Sequence, residues 1–150
     1  MQNTKPARNE RIAYGKLPWV AQLAALAAAV ANALVYFAAS GLGFIPQSIL
    51  VPTPSGEHPL TVAPVAVSSL VGGIGAAIVF AIIGLFARRP VRLFRIVATV
   101  MLVLSFAMPL TVPGTPVAMI PSLKVMHVVA WALIVGFLTK MAGQAKAASA

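Results

Sequence analysis

The sequence lacks cysteine and has only two acidic residues, Glu10 and Glu57, in 150 positions. The absence of cysteine excludes disulfides, thiolate chemistry and sulfur-ligated metals. Charged residues make up only 9% of the chain and hydrophobic residues 60%, whereas a soluble domain carries about 25% charged residues. So few charges cannot cover a surface that faces water. Together with a mean hydropathy of +0.96, this composition indicates an integral membrane protein.

Long apolar runs, separated by proline, glycine or arginine, predict an all-α membrane fold. We expect an antiparallel four-helix transmembrane bundle, because a run of about 20 apolar residues is enough to cross the hydrocarbon core. Pro18, Pro64 and Pro121 suit the first turns of three of these helices. The predicted organisation is a basic arm at 1–17, spans at about 18–40, 64–87, 91–110 and 120–140, and a disordered tail at 141–150.

The connection between the first two spans is rich in proline and glycine, which excludes a continuous helix there. Two short extended runs, 47–51 and 60–62, flank a turn that contains Pro54, Gly56 and Pro59. This pattern predicts a short β-hairpin or an extended loop on the outer side of the membrane, resting on the bundle.

A basic bend separates the second span from the third and determines the predicted orientation. It contains Arg88, Arg89, Arg92 and Arg95. With this bend on the cytoplasmic side, ten of the eleven basic residues are inside and only Lys124 is outside, which is the distribution typical of inner-membrane proteins. Both termini are then cytoplasmic. We expect the arginines to contact anionic lipid headgroups rather than nucleic acid, because no basic face is interleaved with aromatic residues.

Small residues recur at helical spacing in the second span. Such rows let two helix backbones approach closely in lipid. The first span offers a complementary surface rich in alanine, so we expect these two helices to pack together, with contact between copies of the chain as the competing use of this face. The predicted packing residues are Ser68, Gly72, Gly73, Ala76 and Ala77.

The spans contain no Asp or Glu, which argues against a proton-coupled transporter or an ion pump. Asn32, Ser105 and His127 are predicted to lie at a similar depth, outside the midplane. They are interpreted either as a polar clamp between helices or as the wall of an outward-facing pocket. A nucleophilic pair of Ser105 and His127 has no orienting acid, so we expect no enzymatic activity and no metal site. A haem or chlorophyll with His127 as its single axial ligand is the alternative to a chain without a cofactor.

Three short segments, 31–36 in the first span, 105–110 in the third and 126–129 in the fourth, resemble a family of small four-span bacterial membrane proteins of unknown function. The likeness covers about residues 17–140. It implies a four-helix membrane domain in a bacterial cytoplasmic membrane, and it implies no activity, substrate or cofactor.

Two hypotheses about function follow. The first is a structural or accessory subunit that acts by helix packing in a homo-oligomer or a larger membrane complex. The second is a small binding or transport protein with a pocket at Asn32, Ser105 and His127.

Overall fold

The structure, a computed structural model, describes residues 9–46, 49–53, 56–107 and 116–146. This part of the chain forms four α-helices and two pairs of short strands. A 3-10 turn at Val117–Met119 precedes the last helix, and a π-helical segment at Leu138–Ala142 follows it. In chain order the elements are β1 (Asn9–Ile12), α1 (Leu17–Gly41), β2 (Leu50–Thr53), β3 (Gly56–Pro59), α2 (Val62–Phe86), α3 (Pro90–Ser105), α4 (Ile120–Phe137) and β4 (Gly143–Lys146).

Three helical segments are long and apolar enough to cross a membrane: Leu17–Gly41, Val62–Phe86 and Val117–Ala142. The first two have 25 residues each, or about 38 Å at 1.5 Å per residue, which exceeds a hydrocarbon core of about 30 Å. These helices indicate a multi-pass membrane protein, and they lie where the first, second and fourth spans are predicted.

The third predicted span is shorter than expected. Helix α3 has 16 residues and ends at Ser105, not at 110, and residues 108–110 lie outside the described part. Its length of about 24 Å falls short of the hydrocarbon core. The sequence explains the early end, because Pro109 has no N–H to donate to the carbonyl of residue 105 and its ring would clash there. The described residues therefore contain three helices of spanning length instead of four.

Helix α1 is the centre of the bundle and packs along both α2 and α4. Its inner face is built from Val20, Ala24 and Ala28, none of which is exposed to solvent. Gly73 on α2 lies directly against Ala25 on α1, so the two backbones come close together. Helix α3 contacts α2 and α4 over a smaller part of their length.

Where the sequence predicts a hairpin or an extended loop, β2 and β3 pair in antiparallel register, with Leu50 opposite Pro59. Gly56 begins β3 with a φ of +120°, a conformation that favours glycine. The hairpin is attached to the bundle through Tyr36, whose buried hydroxyl donates a hydrogen bond of 3.0 Å to the carbonyl of Leu60.

At the opposite end of the bundle, β1 pairs with β4 in antiparallel register. The sequence predicts a basic arm at 1–17 and a disordered tail at 141–150, of which residues 1–8 and 147–150 lie outside the described part. In the structure, Asn9–Ile12 pairs with Gly143–Lys146. The arm is also tied to α3, because Glu10 Oε2 accepts hydrogen bonds from the backbone N–H groups of Val91 and Arg92, at 3.0 and 3.2 Å. The arm, the basic bend and β4 therefore lie at one end.

Candidate ligand-binding groove

A groove of about 510 Å³ lies between α2, α3 and α4. It follows α3 from Phe94 to Ser105, a distance of about 16 Å at the helical rise. The groove exists because α3 stands away from the close contact of α1 with α2. Its lining is almost entirely apolar.

The floor of the groove is formed by small residues of α2: Gly72, Gly75 and Ala76. A Cβ atom added to Gly72 or to Gly75 would have no atom within 4 Å, so both face open space. The end near the basic bend is closed by Phe94, which is 1% exposed and packs on Phe80 with ring centroids 4.7 Å apart. A molecule in the groove would therefore lie against backbone on one side and aromatic rings at one end.

Two of the three predicted polar residues, Ser105 and His127, lie at the end of the groove remote from the bend. Each is bonded to a carbonyl of its own helix. The Ser105 hydroxyl donates to the carbonyl of Leu102 at 2.7 Å, and Nδ1 of His127 lies 2.7 Å from the carbonyl of Leu123. Ser105 therefore does not donate its proton to His127, as a nucleophilic pair would require.

The bond to Leu123 fixes the tautomer of His127. A carbonyl oxygen only accepts, so Nδ1 carries a proton, and in the neutral imidazole Nε2 then presents a lone pair. In the described part of the chain, Nε2 has no hydrogen-bond partner. The imidazole can therefore accept a hydrogen bond from a hydroxyl or N–H group in the groove, or act as a ligand through Nε2.

Trp131 contributes a second unused polar group to the groove wall. Its indole N–H is buried and has no hydrogen-bond partner among the described residues. A buried donor without a partner is costly, and the π surface of the ring also suits an apolar ligand. Trp131 does not stand out in the sequence, because one tryptophan on an apolar helix looks like any core or lipid-facing residue.

Asn32 does not line this groove. Its Nδ2 donates to Oγ of Ser69 at 3.0 Å, and the Ser69 hydroxyl donates to the carbonyl of Val65 at 2.9 Å. The side chain is 4% exposed, and its Oδ1 is buried without a partner. The structure thus separates the three predicted residues into a link between α1 and α2 and a pair at the groove.

The predicted packing residues of α2 lie on two different faces of the helix. Gly73 and Ala77 are buried against α1, whereas Ser68 and Gly72 are exposed and Ala76 is half-buried beside the groove. Ser69 shares the buried face. Only one of the two rows of small residues is thus covered by α1.

The four arginines of the bend are all exposed. Arg95 differs from the others because its Nη2 donates to Oγ1 of Thr139 at 3.1 Å, which links α3 to the π-helical segment that follows α4. Arg88, Arg89 and Arg92 line a second, shallower cleft of about 330 Å³. Within the described ranges, no group of three or more His, Asp or Glu side chains lies close enough to hold a metal ion.

Neither a curated protein nor a solved structure matches the chain. Residues 14–144 match the model of a family of unknown function, DUF6069. This match covers α1 to α4 and the pair β2–β3, and leaves out β1 and the second half of β4. The chain therefore belongs to the DUF6069 family.

Proposed function

We propose that this protein is a non-enzymatic membrane protein that holds an elongated apolar molecule in the groove between α2, α3 and α4. The observation that carries the proposal is the position of His127, whose Nε2 lies at one end of an apolar groove and has no hydrogen-bond partner among the described residues. Its volume of about 510 Å³ lies within the range of small-molecule sites, about 300–1,000 Å³. The preferred ligand carries one hydroxyl or N–H donor at the end that meets His127.

The proposal includes four crossings of a bacterial inner membrane, with both termini in the cytoplasm. It is supported by the pairing of β1 with β4 at the end that carries the arginine bend, because this end gathers most of the basic residues. On this orientation the polar end of the groove lies toward the outer side. An alkaline phosphatase fused after Lys146 should be inactive and a fluorescent protein at the same site should be bright; the opposite pair of results would refute the orientation.

Binding can be tested with a pyrene-labelled long-chain alcohol and its methyl ether, added to the protein in nanodiscs. Energy transfer from Trp131 to pyrene reports occupancy, with Trp19→Phe as the background because these are the two tryptophans of the chain. We expect stronger transfer with the alcohol than with the ether. Gly75→Leu should fill the groove and reduce transfer severalfold, whereas Ala63→Leu, on an exposed position of the same helix, should leave it unchanged.

His127→Leu separates specific binding from partition into lipid. It should reduce the preference for the alcohol over the ether, because it removes the imidazole nitrogen that accepts a hydrogen bond at that end. Equal transfer in the parent and Gly75→Leu proteins, or an unchanged preference in His127→Leu, would refute the proposal. A tetrapyrrole ligated through Nε2 is one molecule that this chemistry admits, and an intense Soret absorbance of the purified protein would identify it.

The second candidate is a structural or accessory subunit in a homo-oligomer or larger complex, in which a helix of another chain occupies the same groove. It is favoured by the small residues that α2 presents to the groove, Gly72, Gly75 and Ala76, since small residues promote close helix contact in lipid. The chain has no cysteine, so Gly72→Cys gives cross-linking without background. Efficient dimer formation through Gly72→Cys, and none through Ile78→Cys on an exposed position of α2, would favour this candidate over a small ligand.

A further inference from the structure

The bend between α2 and α3 contains a cleft of a different chemical character from the groove. It has a volume of about 330 Å³ and is lined by Ala87, Arg88, Arg89, Arg92, Leu93 and Ile96. One side is cationic and the other is apolar. We call it the arginine cleft.

The guanidinium groups of the arginine cleft are unpaired within the part of the chain that the structure describes. Within the described ranges, the guanidinium groups of Arg88, Arg89 and Arg92 have neither a hydrogen bond nor an ion pair. Glu10 is the acidic residue at this end, and its Oε2 is engaged by the backbone N–H groups of Val91 and Arg92. Three like charges around one cleft repel each other and create a strongly positive potential, so an anion would be stabilised there.

Glu10 also determines which groups are available to that anion. The first N–H groups of a helix are a common anion site, but in α3 two of them are already satisfied by the carboxylate. The guanidinium groups remain, and they bind phosphate through paired hydrogen bonds. The fourth arginine, Arg95, is used within the protein through Thr139.

The apolar side of the cleft continues along α3. Leu93, Ile96 and Val100 are 42%, 52% and 52% exposed, and their spacing of three and four residues places them on one face of the helix. A free phosphate would use only the cationic side. An amphiphile with an anionic head and an acyl chain would use both sides.

We propose that the arginine cleft binds an anionic phospholipid. The phosphate is held by Arg88, Arg89 and Arg92, and one acyl chain follows Leu93 and Ile96. A basic pocket at the cytoplasmic ends of membrane helices is suited to such headgroups. Because three cations line the cleft, a lipid with two phosphates, such as diphosphatidylglycerol, is preferred over one with a single phosphate. This site is separate from the groove, and the proposal stands whether or not the groove holds a ligand.

The test is native mass spectrometry of the full chain in mild detergent, titrated with diphosphatidylglycerol, phosphatidylglycerol or phosphatidylcholine of equal acyl chains. The double variant Arg88→Gln/Arg89→Gln is compared with Arg11→Gln/Lys140→Gln, which removes the same charge at the same end from other exposed positions. We expect affinity to fall in the order of the three lipids given. The cleft variant should lose about thirtyfold in affinity for the anionic lipids, from two cations near a lipid surface, while the control changes less than about threefold.

Two further measurements distinguish a bound lipid from a free anion. Ile96→Gln should weaken binding of the anionic lipids, and millimolar inorganic phosphate should not displace them. Equal losses in the cleft and control variants would show that only net charge matters and would overturn the proposal. Displacement by phosphate, or unchanged binding in Ile96→Gln, would overturn the assignment to a lipid.

Discussion

The contact of Gly73 with Ala25 allows a sharp test of how closely α1 and α2 pack. A Cβ atom at position 73 would lie 2.6 Å from Cβ and 2.8 Å from Cα of Ala25. Carbon atoms in contact prefer about 3.5–4.0 Å, so Gly73→Ala must push the helices apart by about 1 Å. The obstacle includes backbone, which no change of rotamer can move away. Overpacking of this kind costs about 1–3 kcal/mol.

The matched control is Gly72→Ala, where an added Cβ meets no atom within 4 Å. Both substitutions gain about 1 kcal/mol of helix propensity, so the difference between them isolates the packing cost. We expect Gly73→Ala to be less stable than Gly72→Ala by about 1–3 kcal/mol, measured by far-UV circular dichroism during unfolding in mixed micelles with increasing sodium dodecyl sulfate. Replacing Ala25 by glycine in the Gly73→Ala background should recover part of the loss. Equal stability of the two single variants would refute the close packing.

Three further predictions concern contacts around the bundle. Ser69→Ala should cost about 0.6–2 kcal/mol of unfolding free energy in the same assay, because it removes the partner of a buried amide on α1, whereas Ser68→Ala on an exposed position should cost little; equal effects would contradict the link. Glu10→Ala should speed hydrogen exchange of the backbone amides of Val91 and Arg92, because it removes their acceptor. Glu57→Ala should leave their exchange unchanged, and unchanged exchange in Glu10→Ala would refute the contact between the arm and α3. Tyr36→Phe should cost about 1 kcal/mol and raise proteolysis of the hairpin, while retained stability and protease resistance would show that its hydroxyl bond contributes nothing.

The helices of spanning length were predictable because their signals are local. Apolar length and the early prolines place α1, α2 and α4 within about three residues of their observed limits. The early end of α3 follows from the same chemistry, since Pro109 affects the carbonyl four residues before it.

The strands β1 and β4 were not predictable from local pattern. Each has four residues of mixed polarity, and their partners are almost a chain length apart. A short polar segment becomes a strand only when its partner is brought beside it. The packing of the helices does this here, and Ile12 and Glu10 then anchor the pair to α2 and α3.

The candidate site was predicted in part. Counting residues from the middle of each span gives depth, and it placed Asn32, Ser105 and His127 at one level. Depth does not give the rotation of a helix about its axis, which decides the neighbour that each side chain meets. Asn32 is turned toward Ser69, whereas Ser105 and His127 are turned toward the groove. The groove itself depends on how far α3 stands from its neighbours, which no residue pattern encodes.

The pairing of β1 with β4 sets an order for the biogenesis of this protein. Ile12 pairs with Gly143, so the ribosome must synthesise nearly the entire chain before β1 can pair with β4. At about 5–20 residues per second, that wait is on the order of ten seconds. The helices enter the lipid during this time, and β1 pairs with β4 only afterwards. Nascent chains that stop before Gly143 would insert normally, but β1 would have no partner strand.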